Sequence, residues 1–211
     1  MKITKYEHAC LDISTNNQRL VIDPGVFSTS IKDYSNISTL VITHIHGDHF
    51  DPEKVKAMVA KNPSVQIYTT QEAANQLNSV KVTIPEINKP YVTGSFALEF
   101  FGEKHAEIDP KTPLVQNIAV LVNNRLFYPG DSFTECPKPF HTLAVPTSAP
   151  WLKVGETLPL FENSQCKQVF ATHDALLSES GYSVTNNWLE QFAKRNNKTF
   201  IFLQSGKSIE I

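Results

Sequence analysis

The stretch that most constrains this chain is LVITHIHGDHF, residues 40–50, where three histidines and an aspartate fall within six positions directly after an apolar run. The apolar run is typical of a strand that is buried on both faces. Asp51 and Pro52 follow as a cap and a first-turn residue, so they predict a helix immediately after the cluster. The polar side chains must therefore lie in a strand-to-helix turn.

His44 and His46 are two residues apart at the end of this predicted strand, so an extended backbone would direct both imidazoles to one side. Gly47 permits a sharp turn, after which Asp48 and His49 approach from a different direction. One hexapeptide thus offers two imidazoles to one metal ion, and a carboxylate plus an imidazole to a second. These donors suit zinc, manganese or iron. A pH-sensing or merely polar loop is the alternative.

Length and composition are those of an ordinary globular protein with one domain and a sizeable core, at 211 residues, 41% hydrophobic and 19% charged. A net charge of -2 gives no overall attraction to nucleic acid, and no run approaches the ~20 apolar residues of a membrane helix. Neither partner is expected. The first residues lack a secretory-signal pattern, and three cysteines outside any C-x-x-C arrangement fit reduced thiols. We therefore expect a cytoplasmic protein.

Short strand-like runs outnumber the helical segments and sometimes follow one another directly, which favours two mixed β-sheets with helices outside over a purely parallel sheet. A hairpin is predicted at Asn123-Asn124. The second half resembles a variation on the first, so we expect one domain over 1–211 with two related halves, about 1–101 and 102–211. The predicted strands are KITKYE, ACLDIS, RLVID, TLVIT, VQIYTT, VKVTI, SFALEFF, NIAVLVNN, RLFYPG, HTLAVPT, KQVFATH, TFIFLQ and KSIEI, and the predicted helices are PEKVKAMVAKN, QEAANQL and VTNNWLEQFAKRN.

The motif THIHGDH resembles the signature of the metallo-β-lactamase-fold hydrolases, a superfamily of two-metal enzymes. The resemblance implies an α+β four-layer αββα sandwich with the site at one edge between the sheets. It also implies three more ligands: a histidine after a strand, an aspartate after a strand-end glycine, and a final histidine. The segments FFGEKHAEI, LFYPGDSF and VFATHDA supply them in that order as His105, Asp131 and His173.

Two divalent metal ions are therefore expected by resemblance, zinc first and manganese or iron as alternatives. The implied ligands are His44, His46 and His105 for the first ion, Asp48, His49 and His173 for the second, and Asp131 as a bridge.

Two more residues are expected beside the ligands. Asp23, in VIDPG, resembles the family aspartate that accepts a proton from a ligand histidine and so fixes its tautomer; a plain turn aspartate is the alternative. His8, in YEHACLDI, is expected near the metal ions or the substrate, with a buried structural histidine as the alternative. His141, at the start of an apolar strand, is expected to be structural.

Within the superfamily the chain is most similar to small proteins like the L-ascorbate-6-phosphate lactonase. The motifs that carry this narrower resemblance are HAC, IDPG, GEKHA, PGDS, VPTSAPW and THDA. Glu7 stands where that group often has a glycine, and the lactonase's sugar-phosphate contacts do not map onto this sequence. The substrate is therefore left open.

The resemblance implies a hydrolase in which a hydroxide bridging the two metal ions attacks a small ester, lactone or phosphoester. Asp48 and Asp131 are the expected catalytic residues, with Asp48 also a proton acceptor. Trp151, Lys153 and Tyr182 are candidate substrate contacts around the site. A phosphodiesterase or nuclease of the same fold, or a metal-binding protein without turnover, are the alternatives. The expected partner is a small molecule, and the sequence gives no indication of oligomeric state.

Overall fold

Two mixed β-sheets form the centre of the molecule in the computed structural model, which describes residues 1–78 and 80–211. The strands are β1 (Lys2–Lys5), β2 (Leu11–Thr15), β3 (Gln18–Ile22), β4 (Ile37–Ile42), β5 (Gln66–Thr69), β6 (Pro90–Thr93), β7 (Phe96–Phe101), β8 (Ala119–Val122), β9 (Leu126–Tyr128), β10 (Thr142–Pro146), β11 (Gln168–Thr172), β12 (Thr199–Ile201) and β13 (Ser208–Glu210).

Each sheet combines an antiparallel part with a parallel part. The first sheet has the order β13-β1-β2-β3-β4-β5, in which β3, β4 and β5 run parallel. The second has the order β12-β11-β10-β9-β8-β7-β6, in which β9 to β12 run parallel. The hairpin predicted at Asn123-Asn124 is confirmed: it joins β8 to β9, with φ of 52° and 51° at the two residues.

Helices cover the outer face of each sheet and complete the four layers. They are α1 (Pro52–Lys61), α2 (Gln71–Ala74), α3 (Leu158–Glu162) and α4 (Glu179–Arg195), with a short 3₁₀ turn at Val154–Thr157. Val55 and Met58 of α1 pack on the first sheet, and Leu189 and Phe192 of α4 pack on the second. The predicted αββα sandwich is therefore confirmed. Among the residues that the structure describes, no helix is long and apolar enough to cross a membrane.

A third apolar cluster fills the space between the sheets, where side chains such as Leu20 and Val41 meet Phe100, Tyr128 and Phe170. Because the strands alternate their side chains between faces, each sheet supplies one face to this central cluster and the other to its helices. Many of the buried polar residues lie at or just beyond the strand ends. The ends of β4, β7, β9 and β11 carry the sequence motifs described above.

Several predicted elements differ from the structure. The run VKVTI forms no strand, and Thr83 only bridges to Tyr68 beside β5. α4 begins earlier than predicted because the Ser178 hydroxyl caps it by accepting from the Gly181 amide. Val184 and Trp188 of α4 are exposed, whereas Leu189 and Phe192 are buried. The cap predicted for α1 is confirmed, since the Asp51 carboxylate accepts from two amides of its first turn.

Replacing a side chain between the sheets should destabilise the fold strongly. Phe100 is fully buried and contacts the rings of Tyr68 and Tyr91, so Phe100→Ala should lower the free energy of unfolding by about 3–5 kcal/mol. Urea denaturation measures this. Val92→Ala on the exposed side of β6 is the control and should change stability by less than about 0.5 kcal/mol. Equal losses in the two variants would contradict the assigned inter-sheet core.

Candidate metal centre

The structure brings all seven predicted ligands together at one edge of the sandwich, although they come from four separate segments of the chain. The donor atoms form three groups that share members. Within each group, every donor atom lies within 4.8 Å of the others. The groups are His44, His46 and His105; His8, Asp48, His49 and His173; and His44, His49 and Asp131.

The first group consists of three imidazoles that face one another. The ring centroids of His44 and His46 are 4.8 Å apart, those of His44 and His105 are 5.0 Å apart, and those of His46 and His105 are 4.7 Å apart. His44 and His46 follow β4, whereas His105 follows β7 of the other sheet. The pair of sheets is thus needed to assemble three nitrogens around one point.

Asp131 lies between the first group and the second. His49 Nε2 is 3.0 Å from Asp131 Oδ1, and His173 Nε2 is 3.0 Å from Asp131 Oδ2. His105 Nε2 lies 3.4 Å from Oδ2 as well. Asp48 Oδ2 completes the second group at 3.3 Å from His173 Nε2. One carboxylate therefore contacts imidazoles of both groups, as a bridging ligand would.

The tautomers of the buried histidines are set by the atoms behind them. The Asp23 carboxylate accepts hydrogen bonds from His49 Nδ1 at 2.7 Å and from the Thr43 hydroxyl at 2.7 Å. Because the Thr43 proton points to Asp23, its oxygen accepts from His44 Nδ1 at 3.0 Å. His105 Nδ1 donates to the Ala106 carbonyl. In each case Nε2 is left as the atom that faces the cluster.

His173 follows the same rule, since its Nδ1 donates to the Ser148 carbonyl at 2.6 Å. Buried Nε2 atoms in the cluster consequently lack hydrogen-bond partners, as does one oxygen of Asp131. These atoms are His44 Nε2, His49 Nε2, His105 Nε2, His173 Nε2 and Asp131 Oδ1. Buried polar atoms are normally satisfied, so converging orphans of this kind fit a cation better than a solvent-free void.

Two of the residues that hold the site have left-handed backbone. Asp23 has φ of 48° and His173 has φ of 58°, values that residues with a Cβ adopt at a cost. His8, which adjoins them, has φ of 65°. The His173 amide also donates to the His8 carbonyl at 2.9 Å, which fixes the two loops to each other. The left-handed backbone at these three residues directs their polar side chains toward the cluster.

His8 lies beside the predicted ligands. Its Nδ1 accepts from the Ala175 amide at 3.3 Å, so in the neutral ring the proton is on Nε2, which is 3.0 Å from Asp48 Oδ2. His8 is fully buried. This arrangement places His8 as a donor that orients Asp48. His141 contacts the Thr142 hydroxyl and belongs to none of the three donor groups.

The three candidate substrate contacts have different surroundings. Trp151 is buried, and its indole N–H donates to Asp131 Oδ2 at 3.2 Å, so it lies in the wall of the cluster. Lys153 is exposed, with its ammonium 3.9 Å from Glu156. Tyr182 lines a separate cavity of about 910 Å³ together with Lys5, and burial followed by the nearby Asp174 charge raises its pKa to about 12.

Three supporting residues escaped the sequence interpretation. The Thr43 hydroxyl donates to Asp23 and accepts from His44 Nδ1, so it links the two side chains. Asn117 accepts from the Asp131 amide at 3.0 Å and donates to the Pro129 carbonyl at 2.9 Å. The Tyr128 hydroxyl lies 3.0 Å from Asp23. Thr43 adjoins the motif, so its position was a usable signal. Asn117 and Tyr128 reach the site only through pairing within the second sheet, and nothing local in the sequence marks them.

Without a metal ion, protons must separate these charges. Burial and the neighbouring His49 keep the pKa of His44 well below its ordinary value. Burial opposes protonation of His173, yet Asp131 and Asp48 raise its pKa to about 9. Burial would likewise raise the pKa of Asp131, but His49 and His173 hold it well below its usual range. These shifts favour a positive charge, a proton or a cation, between the His173 imidazole and the two carboxylates.

Comparison with known proteins bears on the whole chain. A β-lactamase superfamily domain model matches residues 2–173, a span that includes all seven predicted ligands. Protein Rv0786c from Mycobacterium tuberculosis is 28% identical over 183 residues, which cover 84% of this chain and 86% of that protein.

Two solved structures resemble the molecule at low sequence identity. YhfI from Bacillus subtilis, a metallo-β-lactamase fold protein, has a TM-score of 0.75 at 15% identity and covers 99% of this chain and 98% of its own. Igni18, a metallo hydrolase from Ignicoccus hospitalis, has a TM-score of 0.74 at 13% identity and covers 100% and 98%. At these identities the likeness shows the fold alone.

Removing the Asp23 carboxylate should weaken metal binding. Both oxygens of Asp23 accept hydrogen bonds, whereas an asparagine would turn its N–H₂ group toward one set of these donors. Asp23→Asn should therefore lower affinity for zinc about 10–100-fold. Competition with a coloured chelator measures the change. Asp33→Asn, at an exposed carboxylate away from the cluster, is the control and should bind as the wild type does. Unchanged affinity in Asp23→Asn would contradict the proposed orienting contacts.

Metal binding should release protons and strengthen as the pH rises. His49 and His173 have raised pKa values without metal, and a ligand imidazole must be neutral, so affinity should increase from about pH 6 to about pH 9. Calorimetric titration in buffers of different ionisation enthalpy should show release of about one proton or more per chain. Binding without proton release would contradict the raised pKa values of His49 and His173 in the metal-free chain.

Proposed function

The chain belongs to the β-lactamase superfamily, and on that premise we propose that it is a metal-dependent hydrolase that binds two divalent metal ions and cleaves a small ester, lactone or phosphoester. The proposal assigns His44, His46 and His105 to one ion, Asp48, His49 and His173 to the other, and Asp131 to both. Zinc is the expected metal, and manganese and iron suit the same donors.

One observation carries the proposal: acceptor atoms face acceptor atoms across short distances. His49 donates through Nδ1 to Asp23, so its Nε2 lone pair faces Asp131 Oδ1 at 3.0 Å. His173 repeats the arrangement, with Nδ1 on Ser148 and Nε2 3.0 Å from Asp131 Oδ2. Such contacts are repulsive unless a proton or a cation lies between them. A pair of divalent cations would satisfy all of them together.

When bound, the metal ions would supply Lewis acidity, lowering the pKa of water and polarising a carbonyl or phosphoryl oxygen. The chain's own residues hold the geometry. Asp23, Thr43 and the backbone carbonyls keep each Nδ1 proton on the outer side of its ring. Trp151 packs edge-on against His105 and His173, with ring centroids 5.6 and 6.3 Å apart, and excludes water from that side.

Asp48 is the expected proton acceptor during turnover. Burial would raise its pKa, but the adjacent His173 and His8 imidazoles lower it, so it stays ionised. Its side chain is 26% exposed, unlike the buried Asp131, and can therefore meet a substrate. His8 would keep its proton on Nε2, directed at Asp48 Oδ2. The other carboxylate oxygen of Asp48 remains available.

A serine or cysteine nucleophile finds little support. The Ser132 hydroxyl, next to Asp131, is buried and lies 2.9 Å from the Pro129 carbonyl and 2.8 Å from the Thr134 hydroxyl. Burial first, and then the Asp12 charge, raises the pKa of the Cys10 thiol far above its ordinary value, so it is inert. Water is the remaining nucleophile, which agrees with a hydrolase.

A substrate screen with ligand variants tests the proposal. The zinc- or manganese-loaded chain should hydrolyse at least one class among esters, lactones, phosphomonoesters, phosphodiesters and thioesters, and a chelator should abolish turnover reversibly. His46→Ala and Asp131→Ala should each lower kcat/KM by about 100-fold or more, equivalent to about 2.7 kcal/mol. His141→Ala, an imidazole outside the cluster, is the control and should keep full activity.

Turnover that survives both His46→Ala and Asp131→Ala would overturn the two-metal mechanism. Only trace divalent metal after reconstitution would overturn the ligand assignment. The narrower similarity to lactonase-like proteins and the cytoplasmic location stay predictions, and the lactone arm of the screen tests the first of them.

A further inference from the structure

The proposed metal centre meets solvent through two of its seven predicted ligands. Asp48 and His46 are partly exposed, whereas the other five predicted ligands are buried. A substrate must therefore approach past Asp48 and His46. The side chains that surround this opening decide which substrates can bind there.

Three exposed apolar side chains belong to segments that contact Gly47 or His8, the neighbours of Asp48: Val26 at 49% exposure, Phe27 at 38% and Leu176 at 63%. Val26 donates its amide to the Gly47 carbonyl at 2.8 Å, directly before Asp48. The Phe27 ring packs edge-on against His8 at 5.2 Å, and His8 contacts Asp48. These three residues are called the apolar rim below.

Leu176 comes from the other half of the chain and is placed near His8 by its neighbour Ala175. It follows Ala175, whose amide donates to His8 Nδ1, so Phe27 and Leu176 belong to segments that both contact one buried imidazole. Exposing three large apolar side chains to water is unfavourable, at about 25 cal/mol per Å² of apolar area. Such a group beside a polar centre is typical of a site that buries an apolar part of a ligand.

The rim is held in place by the residues beneath it. A Cβ added at Gly25 would lie 1.9 Å from the Asp48 carbonyl oxygen, so this loop rests directly on the ligand turn. Lys54 Nζ contacts the Gly25 carbonyl, the Ser28 carbonyl and the Ser28 hydroxyl. Val26 and Phe27 lie between these two anchors. The apolar surface is therefore formed before any substrate binds.

The two lysines that contact the segments beside the opening are already engaged. All three donors of the Lys54 ammonium are used within the loop, and Lys5 is paired with Asp174. Phosphate and carboxylate groups are usually recognised by such cations.

We infer that the apolar rim of Val26, Phe27 and Leu176 binds the aliphatic chain of an uncharged ester or lactone, which makes such compounds, rather than phosphoesters, the substrates of this site. The inference rests on the proposed hydrolase function. The apolar rim binds the aliphatic chain of the substrate. Asp48 and His46 border the path to the metal centre, and the reacting carbonyl lies beyond them.

A matched series of esters tests the inference on the metal-loaded full chain. The p-nitrophenyl esters of acetic, butyric and hexanoic acid lengthen the acyl chain, and mono-p-nitrophenyl adipate adds a carboxylate at the same length as hexanoate. Each buried methylene contributes a factor of about four, so kcat/KM should rise about tenfold or more from acetate to hexanoate. The adipate should be at least about tenfold poorer than the hexanoate, because its charge would be buried on the rim.

The double variant Phe27→Ser/Leu176→Ser should bring the hexanoate-to-acetate ratio of kcat/KM close to one. Val92→Ser is the matched control, since Val92 is 79% exposed on β6, and it should keep the wild-type ratio. A second measurement needs no turnover. Titration of the metal-free chain with hexanamide, followed by ¹⁵N–¹H NMR, should shift the amides of Val26, Phe27 and Leu176 but not that of Val92.

The outcomes separate the two proposals. Hydrolysis of acetate and hexanoate at equal kcat/KM, or a preference for adipate or p-nitrophenyl phosphate, would overturn the rim while leaving the hydrolase intact. If no ester, lactone, thioester or phosphoester is hydrolysed above the chelated control, the hydrolase proposal fails. The NMR titration then decides the rim alone, and shifts absent from all three rim amides would overturn it.

Discussion

The buried carboxylate of Asp23 accepts hydrogen bonds from two segments that are distant from it in the sequence. The amide and hydroxyl of Thr43 contact it at 2.7 Å each, His49 Nδ1 contacts it at 2.7 Å, and the Tyr128 hydroxyl lies 3.0 Å away. A buried charge without such partners would cost several kcal/mol. With them, the carboxylate joins the ends of β3 and β4 to β9 of the other sheet, and it fixes two ligand imidazoles at once.

The rest of the centre follows from this constraint. Once His44 and His49 present Nε2 inward, the second sheet needs to add only His105, Asp131 and His173 at its own strand ends. Asn117 and Trp151 hold Asp131, while backbone carbonyls hold the two histidines. The apolar clusters between and outside the sheets stabilise the fold. The unpartnered polar atoms that face one another lie together at one edge of it. Local rules that fail at one place in an otherwise consistent fold mark a functional site.

The two parts of the site were predictable from the sequence to different degrees. The predicted ligands stand at strand ends in short motifs, and the family resemblance of these motifs, with that of VIDPG for Asp23, pointed to residues that the structure brings together. The order of strands and helices predicted two mixed sheets with helices outside, and the resemblance supplied the αββα layers. Trp151 is different. It was predicted as a substrate contact, but its indole N–H donates to Asp131. Tyr182 lines a separate cavity because α4 starts at Glu179 and turns that face toward β12. Contacts of this kind depend on how distant elements pack, and no local pattern encodes them.

We propose that one cluster of seven side chains holds two metal ions. Diffraction from crystals of the metal-loaded chain, with data on both sides of the metal absorption edge, locates such ions. Two anomalous peaks are expected, one contacted by His44, His46 and His105 and the other by Asp48, His49 and His173, with Asp131 touching both. A single peak, or peaks held by other residues, would contradict it.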